Sequence, residues 1–211
     1  REEQDAYALE SQEKAAAAIE CGKFTAEIVP IELKSRMGEI TFFDTDETPR
    51  GGLSMEKLGK LKPVFNEQGS VTAGNACTQA DAGSALVLAS RERAEELGVR
   101  PIAVLRGYAS TGVEPRFMGL GPVTAIPKAL ERAGLGLDDM DLIEVNEAFA
   151  AQIVACEREL KWDRRKLNVH GGAIALGHPV GATGGKIIAT CLSALEQRGD
   201  HLRFRLWPDA E

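Results

Sequence analysis

No basic excess marks this 211-residue chain: 25 Lys and Arg stand against 32 Asp and Glu, a formal net charge of -7 with a pI near 5.2. Lys and Arg are interspersed with acids, so there is no footprint for nucleic acid or for an anionic membrane surface. No apolar run approaches the roughly 18 residues of a membrane span, and no charged-then-apolar leader opens the chain. The expected location is therefore the cytoplasm or the interior of an organelle. Cysteine is scarce: Cys21, Cys77, Cys156 and Cys191 lie far apart with no C-x-x-C pair. That argues against a zinc site and against a small disulfide scaffold, so reduced thiols and no metal are expected. What remains is ordinary globular composition, 44% hydrophobic and 27% charged, enough to bury a core in one large domain or two small ones. The chain opens on Arg1 with no initiator Met, and it is expected to be a piece of something longer.

The pattern alternates helix and strand. A first helix is expected from about Glu2 to Cys21, with two strands and a loop in the stretch from Ala26 to Gly52. A short helix capped by Ser54 follows and ends by Pro63. After a Gly-Asn turn, an apolar helix is expected from about Asp81 to Leu97, closing at Gly98. The second half begins with the apolar, β-branched run "RPIAVLRGYAS", read as a buried strand, and then a helix in "GPVTAIPKALERAG". "DMDLIEV" and "KLNV" read as strands, "NEAFAAQIVACERELKW" and "GATGGKIIATCLSALEQRG" as helices. This alternation indicates an α/β layered architecture, best divided near Gly98 to Pro101.

Six glycines crowd the 18 residues of "NVHGGAIALGHPVGATGG", Asn168 to Gly185, around a single His178-Pro179 pair. Glycines between a strand and a helix let a loop approach a ligand closely and aim backbone N–H groups at it. A phosphate cradle fails on spacing. Val180 stands six residues before Lys186 where glycine is required, Ile187 follows where Ser or Thr is required, and no G-x-G-x-x-G occurs. Taken singly, His178 reads as a turn residue capping the next helix, and Asn146 as a helix N-cap. Taken together, both sit where a strand gives way to a helix. In a parallel-type sheet they would project toward the same end, one amide and one imidazole suited to holding a water or an oxyanion.

With "NEAFAAQ" from Asn146, "NVHGGAIALGHPVGATGG" from Asn168 and "VTAGNA" from Val71, supported by "RFMGLGPV" and "KALERAG", the chain resembles the thiolases. These acyltransferases make or cleave 3-ketoacyl-CoA. The resemblance runs from Arg1 to about Gly199. It implies the layered αβαβα thiolase fold, present as its later half: residues 1–98 as loop region and end of the N-terminal domain, 99–211 as the C-terminal domain without its final strands. It also implies acyl-CoA, acetyl-CoA and coenzyme A as partners and substrates, no covalently bound cofactor, and a homodimer or homotetramer at full length.

Residue by residue, His178 resembles the histidine that activates the nucleophilic cysteine and helps hold the thioester oxygen, and Asn146 the asparagine that positions an oxyanion-hole water. Met118 and Phe149 resemble acyl-pocket residues, with a core role for both as the alternative. Phe65, Ala73 and Cys77 resemble positions along the pantetheine arm, and Arg50 a residue near the nucleotide end. The family uses two cysteines, a nucleophile in the N-terminal half and a second in a C-x-G motif near the C-terminus, and neither is present. Pro208 falls about where the second belongs, and Ala80, Asp81 and Ala82 replace a common Asn-Asp-Gly. The isolated chain is therefore expected to be inactive. The rival expectations are a non-catalytic CoA- or lipid-binding module and an unstable fragment that aggregates.

Overall fold

The computed structural model describes residues 1–199; the tail, with Pro208, lies outside the described residues. Helix α1 spans Glu2–Glu20, with Glu2, Glu3 and Asp5 in its first turn, where carboxylates complement the helix dipole. Its buried face carries Tyr7, Ala8, Ser11, Ala15 and Ala18, mostly small side chains that admit close neighbours. Strands β1 (Ile31–Lys34) and β2 (Ile40–Phe43) form an antiparallel hairpin in the register Ile31 to Phe43, exposed along its length. Helix α2 (Met55–Gly59) starts at Ser54, whose hydroxyl accepts from the Lys57 N–H at 3.3 Å.

Two expected elements are absent. Residues 81–90 form neither helix nor strand and are exposed throughout, so only α3 (Arg91–Glu96) remains of the helix expected from Asp81 to Leu97. The strand expected from Arg100 to Ser110 is likewise unpaired among the described residues. The physical reason is the same for both. Apolar runs take up regular structure when a neighbour covers them, and Val87, Leu88, Ile102 and Leu105 have none among the described residues.

The remainder forms as the pattern indicates. Helix α4 (Gly121–Ala133) carries Pro122 in its first turn, and α5 is Ala150–Leu160. A short helix that sequence reading missed, α6, is Ala173–Leu176, and α7 is Thr183–Arg198. The strands expected around Ile143 and Leu167 meet as a single parallel bridge, with the Ile143 N–H donating to the Lys166 carbonyl at 2.8 Å and Asn168 N–H to that of Ile143 at 2.9 Å. Tyr7, Ile143, Val145, Ile153, Leu167 and Ile174 form the main core between α1, α5 and α6. Ile153 and Leu167 are fully buried, each worth about 1.5–3 kcal/mol over exposure.

Candidate active site

The bridge carries Asn146 to the edge of this core. Helix α5 begins only at Ala150, with Phe149 as its N-cap, so Asn146 is not the capping residue that its place in the sequence suggested. On the other side, α6 closes and His178 follows; its backbone N–H donates to the Thr78 carbonyl at 2.8 Å. Asn146 Nδ2 and His178 Nε2 then stand 3.3 Å apart. Residues separated by 32 positions thus share one hydrogen bond, although His178 lies between α6 and α7 rather than at the strand-to-helix junction expected for it.

The tautomer follows from the ring's two partners. The Thr183 hydroxyl donates its proton to the Pro179 carbonyl at 3.0 Å and lies 2.7 Å from His178 Nδ1. Asn146 Nδ2 can only donate, so Nε2 is assigned as the acceptor and Nδ1 as the bearer of the imidazole hydrogen, with the Thr183 hydroxyl oxygen as its acceptor. Nε2 presents its lone pair and accepts from the Asn146 amide. The ring thus touches the first residue of α7 through a side chain, with no bond to a helix-terminal N–H. Asn146 Oδ1, buried, has no hydrogen-bond partner among the described residues.

Behind the pair lies Glu147, fully buried. Its Oε1 accepts from the Tyr7 hydroxyl at 2.7 Å and Asn168 Nδ2 at 2.9 Å, and its Oε2 from the Ser11 hydroxyl at 2.7 Å and the Ile174 N–H at 3.0 Å. Asn168 also holds both backbone groups of Val145 at 2.9 Å. Burial, with the Glu147 charge second, raises the Tyr7 phenol well above its ordinary range. Gly172 is required by closeness: a Cβ there would lie 2.3 Å from the Glu147 carboxyl carbon.

Glu144 shares a small cavity with Asn146, Thr183 and Lys186. Burial first, then the Glu147 charge, pushes its carboxyl from the ordinary 4.5 up to about 8. The folded chain therefore keeps a proton that the unfolded chain releases. The stability it confers is complete below about pH 4.5 and is lost as pH rises through about 8. In urea titrations between those limits, Glu144→Gln is expected to lose stability less steeply with pH than wild type. Identical slopes would refute the assignment. His170 acts in the opposite sense, since burial holds its imidazole below 6.5, and comparing variant with wild type removes its contribution.

The segment 72–79 reaches the pair from the first half. The Ala150 N–H donates to the Asn75 carbonyl at 2.9 Å and Cys77 N–H to the Ala148 carbonyl at 3.1 Å, while Ala76 pairs antiparallel with Phe149. Phe65 is exposed and meets the Phe149 ring edge-on, centroids 6.1 Å apart. Ala73 is exposed in the adjoining turn. Arg50 and Met118 are exposed too, and neither side chain enters the hydrogen-bond network of the pair. Sequence reading missed Thr183, Glu147, Asn168, Tyr7 and Ser11. Of these, only Thr183 carried a local signal, a hydroxyl five residues after His178 in the same loop. Burial raises the thiol of Cys77, and those of Cys156 and Cys191 to about 11, the reverse of an activated nucleophile. Among the described residues no His, Cys, Asp or Glu cluster could hold a metal ion, and no helix is long and apolar enough to cross a membrane.

Comparison with known proteins places the chain. The chain is 54% identical over 198 residues to an acetyl-CoA acetyltransferase of Pseudomonas aeruginosa and 52% identical to one of Escherichia coli, in each case covering 94% of this chain and 50% of the relative. Among solved structures, the Bacillus anthracis acetyl-CoA acetyltransferase superposes with a TM-score of 0.88 at 49% identity, covering 94% of this chain and 50% of that one. Human mitochondrial 3-ketoacyl-CoA thiolase in complex with CoA gives 0.84 at 45%, covering 94% and 49%. The chain thus spans about half the length of the relatives it matches, and its fold is the α/β thiolase fold in part. The profile of the thiolase N-terminal domain matches residues 1–92 and that of the C-terminal domain residues 99–204. The chain belongs to the thiolase family.

Proposed function

We propose that this chain supplies the amide and imidazole of a thiolase-type acyltransferase that moves acyl groups between acyl-CoA and acetyl-CoA or coenzyme A through a cysteine acyl-enzyme. The observation that carries this reading is the 3.3 Å contact of Asn146 Nδ2 with His178 Nε2. With Nδ1 tied to Thr183, the Nε2 lone pair is the base once it exchanges the Asn146 amide's hydrogen bond for the thiol. It takes a thiol proton, the thiolate attacks the thioester carbonyl, and coenzyme A leaves as its own thiolate. Once protonated, Nε2–H and the Asn146 amide are both donors, able to hold a carbonyl oxygen that has become negative. The nucleophilic cysteine belongs to the part of the family's length that this chain does not cover. Residues 1–98 and 99–211 divide as the end of the N-terminal domain and as the C-terminal domain. Phe65, Ala73, Cys77 and Arg50 lie along coenzyme A, Met118 and Phe149 beside the acyl group. The full-length protein acts in the cytoplasm as a homodimer or homotetramer.

The test is a chimera in which this chain replaces the matching 198 residues of the Pseudomonas aeruginosa relative, with that protein's flanking sequence kept. The chimera is expected to cleave acetoacetyl-CoA and the isolated chain to show no turnover. A folded but inactive chimera, or an active isolated chain, defeats the proposal. A second reading, a non-catalytic CoA-binding module, draws on the raised thiols of Cys77, Cys156 and Cys191. It predicts that the chimera binds coenzyme A and turns nothing over.

A further inference from the structure

Among the described residues Glu147 is the one fully buried acid of the central core, and no cation among them pairs with it. The directions of its hydrogen bonds are fixed. The Tyr7 and Ser11 hydroxyls each lie 2.7 Å from a carboxylate oxygen, which can only accept, so both give their protons to Glu147, and Ser11 Oγ in turn accepts from the Gly172 N–H at 3.1 Å. The amide of Asn168 and the N–H of Ile174 can only donate. Each carboxylate oxygen thus receives two donors and offers none. An isolated buried charge is costly, and such a complete shell is what makes it tolerable.

The positions of those donors give the shell its meaning. Glu147 is covalently next to Asn146. Ile174 lies in α6, whose last residue, Leu176, is followed by Gly177 and His178. Asn168 grips Val145, on the other side of Asn146, at 2.9 Å. Tyr7 and Ser11 fasten the whole to α1. One carboxylate therefore ties together the two short backbone segments that carry the amide and the imidazole.

We propose that Glu147 is a positioning residue: its buried carboxylate sets the register between the Asn146 amide and the His178 imidazole by joining the 145–147 segment, α6 and α1. This rests on the reading of Asn146 and His178 as the reacting pair. Glutamine at 147 keeps the volume but turns its NH2 toward either Asn168 Nδ2 or the Ile174 N–H, each of which can only donate, so the shell must open on that side and the two segments part.

The test uses the whole chain, labelled with 15N. Long-range proton–nitrogen spectra read the tautomer of His178, assigned by the signal lost in His178→Ala. In wild type the Nδ1–H form is expected to dominate. A wild-type spectrum with the mixture of a free imidazole removes the pair reading itself, together with the inference that rests on it. Given the wild-type signature, Glu147→Gln with unaltered far-ultraviolet circular dichroism is expected to lose it, His178 reverting to the free-imidazole mixture. A folded Glu147→Gln that keeps the signature overturns the proposal and leaves the pair reading standing. Should Glu147→Gln not fold, Tyr7→Phe and Ser11→Ala, each removing one donor, decide the matter. Partial loss of the signature in either supports the proposal, and wild-type signatures in both overturn it.

Discussion

His178→Ala in the chimera with the Pseudomonas aeruginosa relative is expected to lower kcat by at least about 100-fold, through loss of both base and oxygen-binding donor. Asn146→Ala removes a donor only. Its expected loss is about 100- to 1,000-fold, equivalent to about 2.7–4 kcal/mol of barrier, the range seen when one oxyanion-hole donor is deleted. The two side chains share a hydrogen bond of 3.3 Å, so the double variant should cost less than the product of the single ones. Thr183→Val leaves the ring in place but frees Nδ1, so the base form is no longer selected; kcat should fall with KM little changed. Steady-state kinetics of acetoacetyl-CoA cleavage measure all four. Unchanged kcat in His178→Ala would falsify the assignment of the imidazole.

Gly171→Ala is expected to be strongly destabilising. Its φ is +76°, where a side chain is strained, and a Cβ would lie 2.7 Å from both Ala15 Cβ and the Ser11 carbonyl oxygen. The left-handed backbone costs about 1–2 kcal/mol, and forcing a methyl against a packed helix about 1–3 kcal/mol more. The sum of about 2–5 kcal/mol is a large share of the 5–15 kcal/mol typical of a folded domain. Gly98 supplies the comparison, with φ +63° and nothing within 4 Å of a Cβ. Gly98→Ala should show the backbone part alone. Urea unfolding measures both; equal midpoints for the two variants would show that α1 yields to the methyl and that the close packing is not what glycine serves.

How far the sequence could be read depended on where each residue finds its neighbours. Helix α1 was legible because alanine and the small face from Tyr7 to Ala18 are local features. The hairpin of β1 and β2 and the Ser54 cap were legible for the same reason. Asn146 and His178 emerged from their motifs and from an expected junction of strand and helix, which for His178 is instead the turn between α6 and α7. The stretch from Asp81 to Ser90 misled, because its apolar content signals burial against a partner and none among the described residues covers it. Glu147, Tyr7 and Ser11 were invisible for the opposite reason. A carboxylate in a polar-looking stretch and two hydroxyls on a helix reveal nothing until chain segments more than 130 residues apart are brought together.

That separation also bears on how the molecule acquires its shape. The bonds from α1 to Glu147 and Asn168 close loops of 136 to 161 residues. Loop closure on that scale must be met before those contacts give anything back, and chains rich in such distant pairings fold slowly. The helices can form early from nearby residues, but the ordered imidazole cannot. It arrives with the docking of the amino-terminal helix, so recovery of the tautomer after dilution from denaturant should trail the recovery of helical signal.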